Sequence, residues 1–210
     1  MYLAIEGVIG VGKTSLARLL QPYYRANILL EVFEENPFLS DFYADRARYA
    51  FQTQIFFLLS RYRQQRATIP QSIQDGIDLI SDYTFDKDSL FARINLRGDE
   101  LEMYYRVHEA LAEKIPPPTL VIYLRASTDM LMKRISMRDR PYERQMERAY
   151  IHELNEAYED FFTRQYHASP VLILDSNVID FVNNPEDLKS VDLRVRQALE
   201  MAPFQPELPL

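Results

Sequence analysis

The chain has no cysteine, which excludes disulfides, thiol catalysis and cysteine-ligated metals and leaves the redox compartment undetermined. Basic residues are not in excess either. Lys and Arg number 24 against 31 Asp and Glu, and the net charge of −7 argues against a nucleic-acid-binding surface while leaving room for a local basic patch. No apolar stretch approaches the length of a membrane span, and no charged segment leads into a long apolar core near Met1. Neither a membrane contact nor a signal peptide is expected, and the default location is the cytoplasm. Internal repeats and low-complexity tracts are also missing. What is present is 210 residues, 47% hydrophobic, enough for one globular domain over 1–201 with a full core. Residues 202–210 carry three prolines and are expected to fray.

Apolar runs alternate with amphipathic stretches. Tyr2–Ile5, Ile28–Val32, Ile77–Ile80, Leu120–Leu124 and Val171–Leu174 read as strands. Ala47–Arg66, Glu100–Lys114, Asp129–Met137 and Arg148–His167 read as helices. Strands separated by helices imply an α/β fold with a five-stranded parallel sheet flanked by helices. Ligands of such sheets bind beyond the C-terminal strand ends, and the chemistry-bearing residues of this chain follow its strands.

After the first strand comes Gly7-Val8-Ile9-Gly10-Val11-Gly12-Lys13-Thr14, with Ser15 next. This is G-x-x-x-x-G-K-[ST] between a strand and a helix, the setting in which backbone N–H groups and a helix N-terminus cradle phosphates. Gly7 through Ser15 are the expected ATP-binding loop. Lys13 is expected on the β- and γ-phosphates, and the Thr14 hydroxyl on Mg²⁺.

After the second strand, Glu31 is placed to accept a proton from a hydroxyl nucleophile. Glu34 and Glu35 read instead as neighbours of a helix start, because Asn36-Pro37 is a good cap followed by a first helical residue. Gln54 and Arg61 lie seven residues apart and share one helix face; they are either readers of a nucleobase edge or part of a solvated polar stripe. After the third strand, Asp82 falls where an acid can join the Mg²⁺ shell, and Asp88 can face a substrate. Residues 133–148 hold six Lys and Arg in an acidic chain. A solvated helix face has such a composition, but Arg138 and Arg140, flanking Asp139 before Pro141, fit a mobile lid over about 138–147 that neutralises a transferring phosphoryl group.

These segments resemble the deoxynucleoside kinase family, close to its bacterial deoxyadenosine/deoxyguanosine kinases, from Ile5 to about Phe162. Carriers beyond the glycine loop are Glu35-Asn36-Pro37-Phe38-Leu39, Phe51-Gln52-Thr53-Gln54, Ser60-Arg61-Tyr62 and Arg138-Asp139-Arg140-Pro141-Tyr142-Glu143. The resemblance implies a P-loop kinase fold and ATP-dependent phosphorylation of a deoxynucleoside 5′-hydroxyl, with Mg²⁺ as cofactor, a purine favoured and a homodimer as assembly. It implies that Glu31 is the general base, that Gln54 and Arg61 lie on the base side, and that Tyr43 and Glu143 hold the sugar 3′-hydroxyl. Arg138 and Arg140 would meet the phosphates, Asp82 the metal and Asp88 the substrate. One departure stands out: Asp82-Tyr83-Thr84 has a tyrosine where the family motif carries arginine, so either another arginine, such as Arg61, takes over near Glu31, or the chain marks a subgroup with different site wiring. Two other readings remain. A thymidylate-type monophosphate kinase would need Arg61 or Arg46 for an acceptor phosphate. A nucleotide-driven switch protein usually carries an Asp-x-x-Gly run, and this chain has none.

Overall fold

The computed structural model describes residues 1–33 and 35–202. The tail expected to fray lies outside the described residues except for Ala202, and so does Glu34.

Five parallel strands form the sheet: β1 (Tyr2–Glu6), β2 (Asn27–Leu29), β3 (Leu79–Ser81), β4 (Leu120–Arg125) and β5 (Val171–Asp175). Their order is β2-β3-β1-β4-β5, so β1 bonds to a neighbour on each side. All five residues of β1 and the first five of β4 are buried, as expected for a parallel sheet covered on both faces. Strand β2 is shorter than its apolar run. Its partner β3 spans only three residues, and pairing ends at Leu29–Ser81, so the chain leaves the sheet just before Glu31.

The helices are α1 (Lys13–Tyr24), α2 (Leu39–Ala44), α3 (Arg46–Gln74), α4 (Lys87–Asn95), α5 (Gly98–Ala112), α6 (Thr128–Arg138), α7 (Arg148–Asp160) and α8 (Pro185–Ala198). Helix α3 runs eight residues beyond Arg66, through Pro70, whose ring removes one N–H donor without ending the helix. Its buried side, from Ala50 and Leu58 to Ile69, packs towards β2 and α4. Helix α2 begins at Leu39, two residues after Pro37, and the Asn36 side chain still serves the turn by accepting from the Phe38 N–H at 2.9 Å. Helix α7 continues as a π-helical turn, Phe161–Gln165. Helix α8 is anchored by Arg196, whose guanidinium meets Asp192 and donates to the Tyr23 carbonyl of α1.

Candidate active site

The glycine loop joins β1 to α1. Gly7 has φ +145°, and an added Cβ would lie 2.3 Å from the Leu124 carbonyl oxygen of β4, so no side chain fits there. Gly12 caps α1 with φ 109°. Lys13 turns back over the loop and donates to the carbonyls of Gly7 at 2.7 Å and Val8 at 3.2 Å. Burial, reinforced by the nearby Lys87 charge, pushes its ammonium down to about 8.

Three acids surround this loop. Glu6, the last residue of β1, is fully buried and accepts from the Gly7 N–H and from the N–H and hydroxyl of Thr84. It ties the start of the loop to the segment after β3, and burial raises its pKa. Asp82 stands at the tip of β3. One carboxylate oxygen accepts the Thr14 hydroxyl at 2.6 Å and the other the Glu31 N–H at 2.8 Å. Glu31, two residues past β2, accepts from the Arg61 Nε at 2.8 Å and from its Nη2 on one oxygen, and from the Lys87 ammonium at 2.7 Å on the other. Burial alone would raise its pKa, but Arg61 and Lys87 outweigh that and hold the carboxyl well below the usual carboxylate range.

Gln54 and Arg61 are both buried on α3 and both line the cavity, so the solvated-stripe reading fails. Among the described residues the Gln54 amide has no hydrogen-bond partner, which leaves its donor and acceptor for a ligand edge. Asp88, near the start of α4, does not line the cavity. It sits behind Arg61, 1% exposed, and pairs with that guanidinium. Thr53 adds a buried hydroxyl to the cavity wall that finds no partner.

Arg138, Arg140, Tyr142 and Glu143 line the cavity from the other side. Arg138 ends α6, and Arg140 precedes a single 3₁₀ turn, Pro141–Glu143. Arg138 grips Glu143 with two N–H donors, at 3.1 and 2.6 Å, and Arg140 stands 3.7 Å from the same carboxylate. Tyr142 stacks on Tyr43 of α2 with the rings 11° from parallel, and Phe33 lies 6.1 Å from Tyr142 and beneath the Arg140 guanidinium. Tyr43 and Glu143 both line the cavity.

A wider cleft of about 920 Å³ continues past the loop, between α6 and the segment after β5. Arg134 braces it, donating to the Val11 carbonyl at 3.0 Å and to the hydroxyl and carbonyl of Ser176 at 2.6 and 2.9 Å. Phe181 leans against Gly12, and Val178 and Val182 expose apolar surface along the rim.

Tyr83, the departure noted in the sequence, turns away from the cavity. It is fully buried with Tyr2, Leu29, Ile69 and Leu79, and its hydroxyl donates to Gln64 at 2.8 Å. The cations beside Glu31 are Arg61 and Lys87. Sequence reasoning named the first and missed the second, although Lys87 lies inside the acidic Asp82–Asp88 run, where attention fell on the carboxylates. Glu6 and Arg134 were missed as well. Their signal was adjacency: one precedes the glycine loop, and the other lies one helical turn before Arg138.

A parallel sheet in this order, with a glycine loop on its central strand and an acid at the tip of the next, defines a P-loop kinase fold. The chain belongs to the deoxynucleoside kinase family, whose family model, described as "Deoxynucleoside kinase", matches residues 3–200. It is 34% identical over 201 residues to a deoxyguanosine kinase of Bacillus subtilis, covering 94% of this chain and 97% of that one. It is 33% identical over 192 residues to a deoxyadenosine kinase of Dictyostelium discoideum, covering 89% and 76%. A solved structure of M. mycoides deoxyadenosine kinase with the products dCMP and dCDP superposes with a TM-score of 0.81 at 24% identity, over 94% of this chain and all of the other; that likeness speaks to the fold. Among the described residues no helix is long and apolar enough to cross a membrane.

Proposed function

We propose that this chain transfers the γ-phosphoryl group of ATP to the 5′-hydroxyl of a purine deoxynucleoside, yielding the 5′-monophosphate for nucleotide salvage. The carrying observation is that one cavity brings Lys13 and Thr14 of the glycine loop together with Glu31, Gln54 and the lid arginines. The purine preference follows the relatives, named deoxyguanosine and deoxyadenosine kinases.

In this reading the triphosphate lies on Gly7–Ser15, with its base in the cleft beside Phe181, and the deoxynucleoside occupies the cavity under the lid. Gln54 offers a donor and an acceptor to the base edge, and Tyr43 and Glu143 stand where the sugar hydroxyl would lie. The low pKa of Glu31 keeps it ionised at neutral pH, so it can accept the 5′-hydroxyl proton as that oxygen attacks the γ-phosphorus. Lys13, Arg138 and Arg140 neutralise the charge spread over the transferring group. Arg61 binds no phosphate; its guanidinium is committed to Glu31 and Asp88 and orients the first of them.

The Thr14 hydroxyl and Asp82 carboxylate suit Mg²⁺. They are hard oxygen donors 2.6 Å apart, the kind that Mg²⁺ takes together with phosphates and water. Bound there, Mg²⁺ would neutralise phosphate charge. The reading includes one domain over 1–201, a cytoplasmic homodimer and a lid at about 138–147.

The test is phosphoryl transfer from ATP with Mg²⁺ to each of the four deoxynucleosides, with dTMP and dAMP as alternative acceptors. Turnover of deoxyguanosine or deoxyadenosine above the pyrimidines is expected. Turnover confined to a monophosphate would overturn the reading, and the geometry already opposes it. Arg61 is committed to two acids, and Arg46 lies over the Tyr150 ring, outside the cavity lining.

A further inference from the structure

Lys87 is a buried lysine that the proposed reaction leaves unused. It opens α4 with 2% of its surface exposed, and its ammonium lies 2.7 Å from Glu31 Oε2 and 5.3 Å from the centre of the Tyr83 ring. It lines the same cavity as Lys13, Thr14 and Asp82. An ammonium has three donors. Among the described residues Lys87 makes one hydrogen bond, to Glu31, so two N–H groups have no protein acceptor.

The other cation at Glu31 is not available for a phosphate. Arg61 meets Glu31 on one side and Asp88 on the other, and its aliphatic stem is fixed in α3. Tyr83 has its side chain in the core and its hydroxyl on Gln64. The cation absent from position 83 is therefore supplied four residues later, at the start of α4, from a flexible four-carbon stem. The Lys87 charge is near enough to act on Lys13, and among the described residues Glu31 is the one acid in direct contact with Lys87. Two like charges facing one cavity favour an anion between them.

We propose that Lys87 is a mobile counter-charge for phosphoryl transfer, able to shift from Glu31 to the γ-phosphoryl oxygens of ATP, which frees Glu31 Oε2 for the 5′-hydroxyl proton. This rests on the kinase reading above. In the step itself the 5′-oxygen bonds to the γ-phosphorus and the bond from that phosphorus to the β,γ-bridging oxygen breaks. ADP leaves with the electron pair, the hydroxyl proton passes to Glu31, and Lys87 keeps all three of its own. Its contribution is charge, together with release of the base at the moment the donor is in place.

The test compares wild type, Lys87→Met and Lys87→Arg by two readouts, steady-state kinetics and calorimetric binding of ATP and ADP with Mg²⁺. For Lys87→Met, kcat falls about a hundredfold with KM for the deoxynucleoside within about threefold, the size expected for one lost transition-state donor. Its affinity for ATP drops about tenfold while that for ADP holds, because the lost contact is to the γ-phosphate. Lys87→Arg recovers most of both. If Lys87→Met does not fold, Lys87→Gln, which keeps a hydrogen bond to Glu31, carries the same ATP-against-ADP comparison. Equal losses for ATP and ADP, or a kcat within threefold of wild type, overturn the proposal. A wild-type protein that turns over no deoxynucleoside overturns the kinase reading instead, and the binding comparison still decides whether Lys87 meets the γ-phosphate.

Discussion

Replacing Glu31 by glutamine separates the chemistry of the site from its architecture. The carboxylate holds Arg61 on one oxygen and Lys87 on the other. Glutamine can keep its oxygen towards Arg61, but its NH₂ then faces the Lys87 ammonium, donor against donor. Arg61 retains Asp88, and the Glu31 N–H to Asp82 contact belongs to the backbone and survives the change. The structural loss falls on Lys87, which is 2% exposed and among the described residues keeps no other acid in direct contact, and it is about 3–5 kcal/mol, as for a buried charge left with no partner. For a chain of 210 residues that lowers Tm by roughly 6–20 °C. The catalytic loss is separate. A positioned general base contributes about 10²–10⁴ in rate, or roughly 2.7–5.4 kcal/mol at 1.36 kcal/mol per decade. Glu31→Gln should thus melt below wild type yet remain folded at assay temperature, and turn over about a thousandfold more slowly, with KM for the deoxynucleoside little changed. ADP release, followed in a coupled assay beside a thermal melt, reads both quantities. A folded variant with kcat within tenfold of wild type would sink the assignment of the base.

Two predictions concern the frame around the site. Gly7→Ala puts a Cβ 2.3 Å from the Leu124 carbonyl oxygen at φ +145° and should cost more than about 3 kcal/mol. Gly76→Ala, at φ +68° with nothing within 4 Å, should cost only about 1–2 kcal/mol; similar melting points for the two would refute the close-approach argument. His108, stacked on Phe85 and on Tyr104, has its pKa lowered from 6.5 by burial, against the Phe85 carbonyl and the charges of Asp86 and Glu109. The unfolded chain then binds the extra proton first, so this stability is present above pH 6.5 and lost as the pH falls through it towards the lower folded value. Urea midpoints between pH 5 and 7.5 should slope less in His108→Gln than in wild type, and parallel slopes would exclude the imidazole.

The parts of the molecule legible in the sequence are those fixed by local chemistry. The glycine loop needs left-handed backbone at Gly7, Gly10 and Gly12, and only its sequence pattern is required to read that. Strand positions followed from apolar runs, and the rule of ligands beyond strand ends placed Glu31 and Asp82 at the cavity. Pairings between distant segments were not legible. Nothing local says that Lys87 reaches Glu31 across 56 positions, or that Asp88 stands behind Arg61 and not in the cavity wall. Helix α3 runs past the expected end at Arg66 and through Pro70, because tertiary packing of the buried stripe outweighs one missing hydrogen bond. Helix α8 went unread, although Asn184 caps it and Pro185 opens it.

The sheet order grades rigidity across the site. Strand β1 is hydrogen-bonded on both sides and wholly buried, so the loop it carries hangs from the part of the sheet that should exchange its amides last. Glu31 follows β2 and the Ser176–Asn183 cleft wall follows β5, and these are the two edges, where strands open at lower cost. In the proposed reading the grip on phosphates is thus the stiff element, and the surfaces that would choose which sugar, base or donor is accepted are the yielding ones. Substitutions that alter selectivity can accumulate at the edges while the centre continues to hold a triphosphate in the same place.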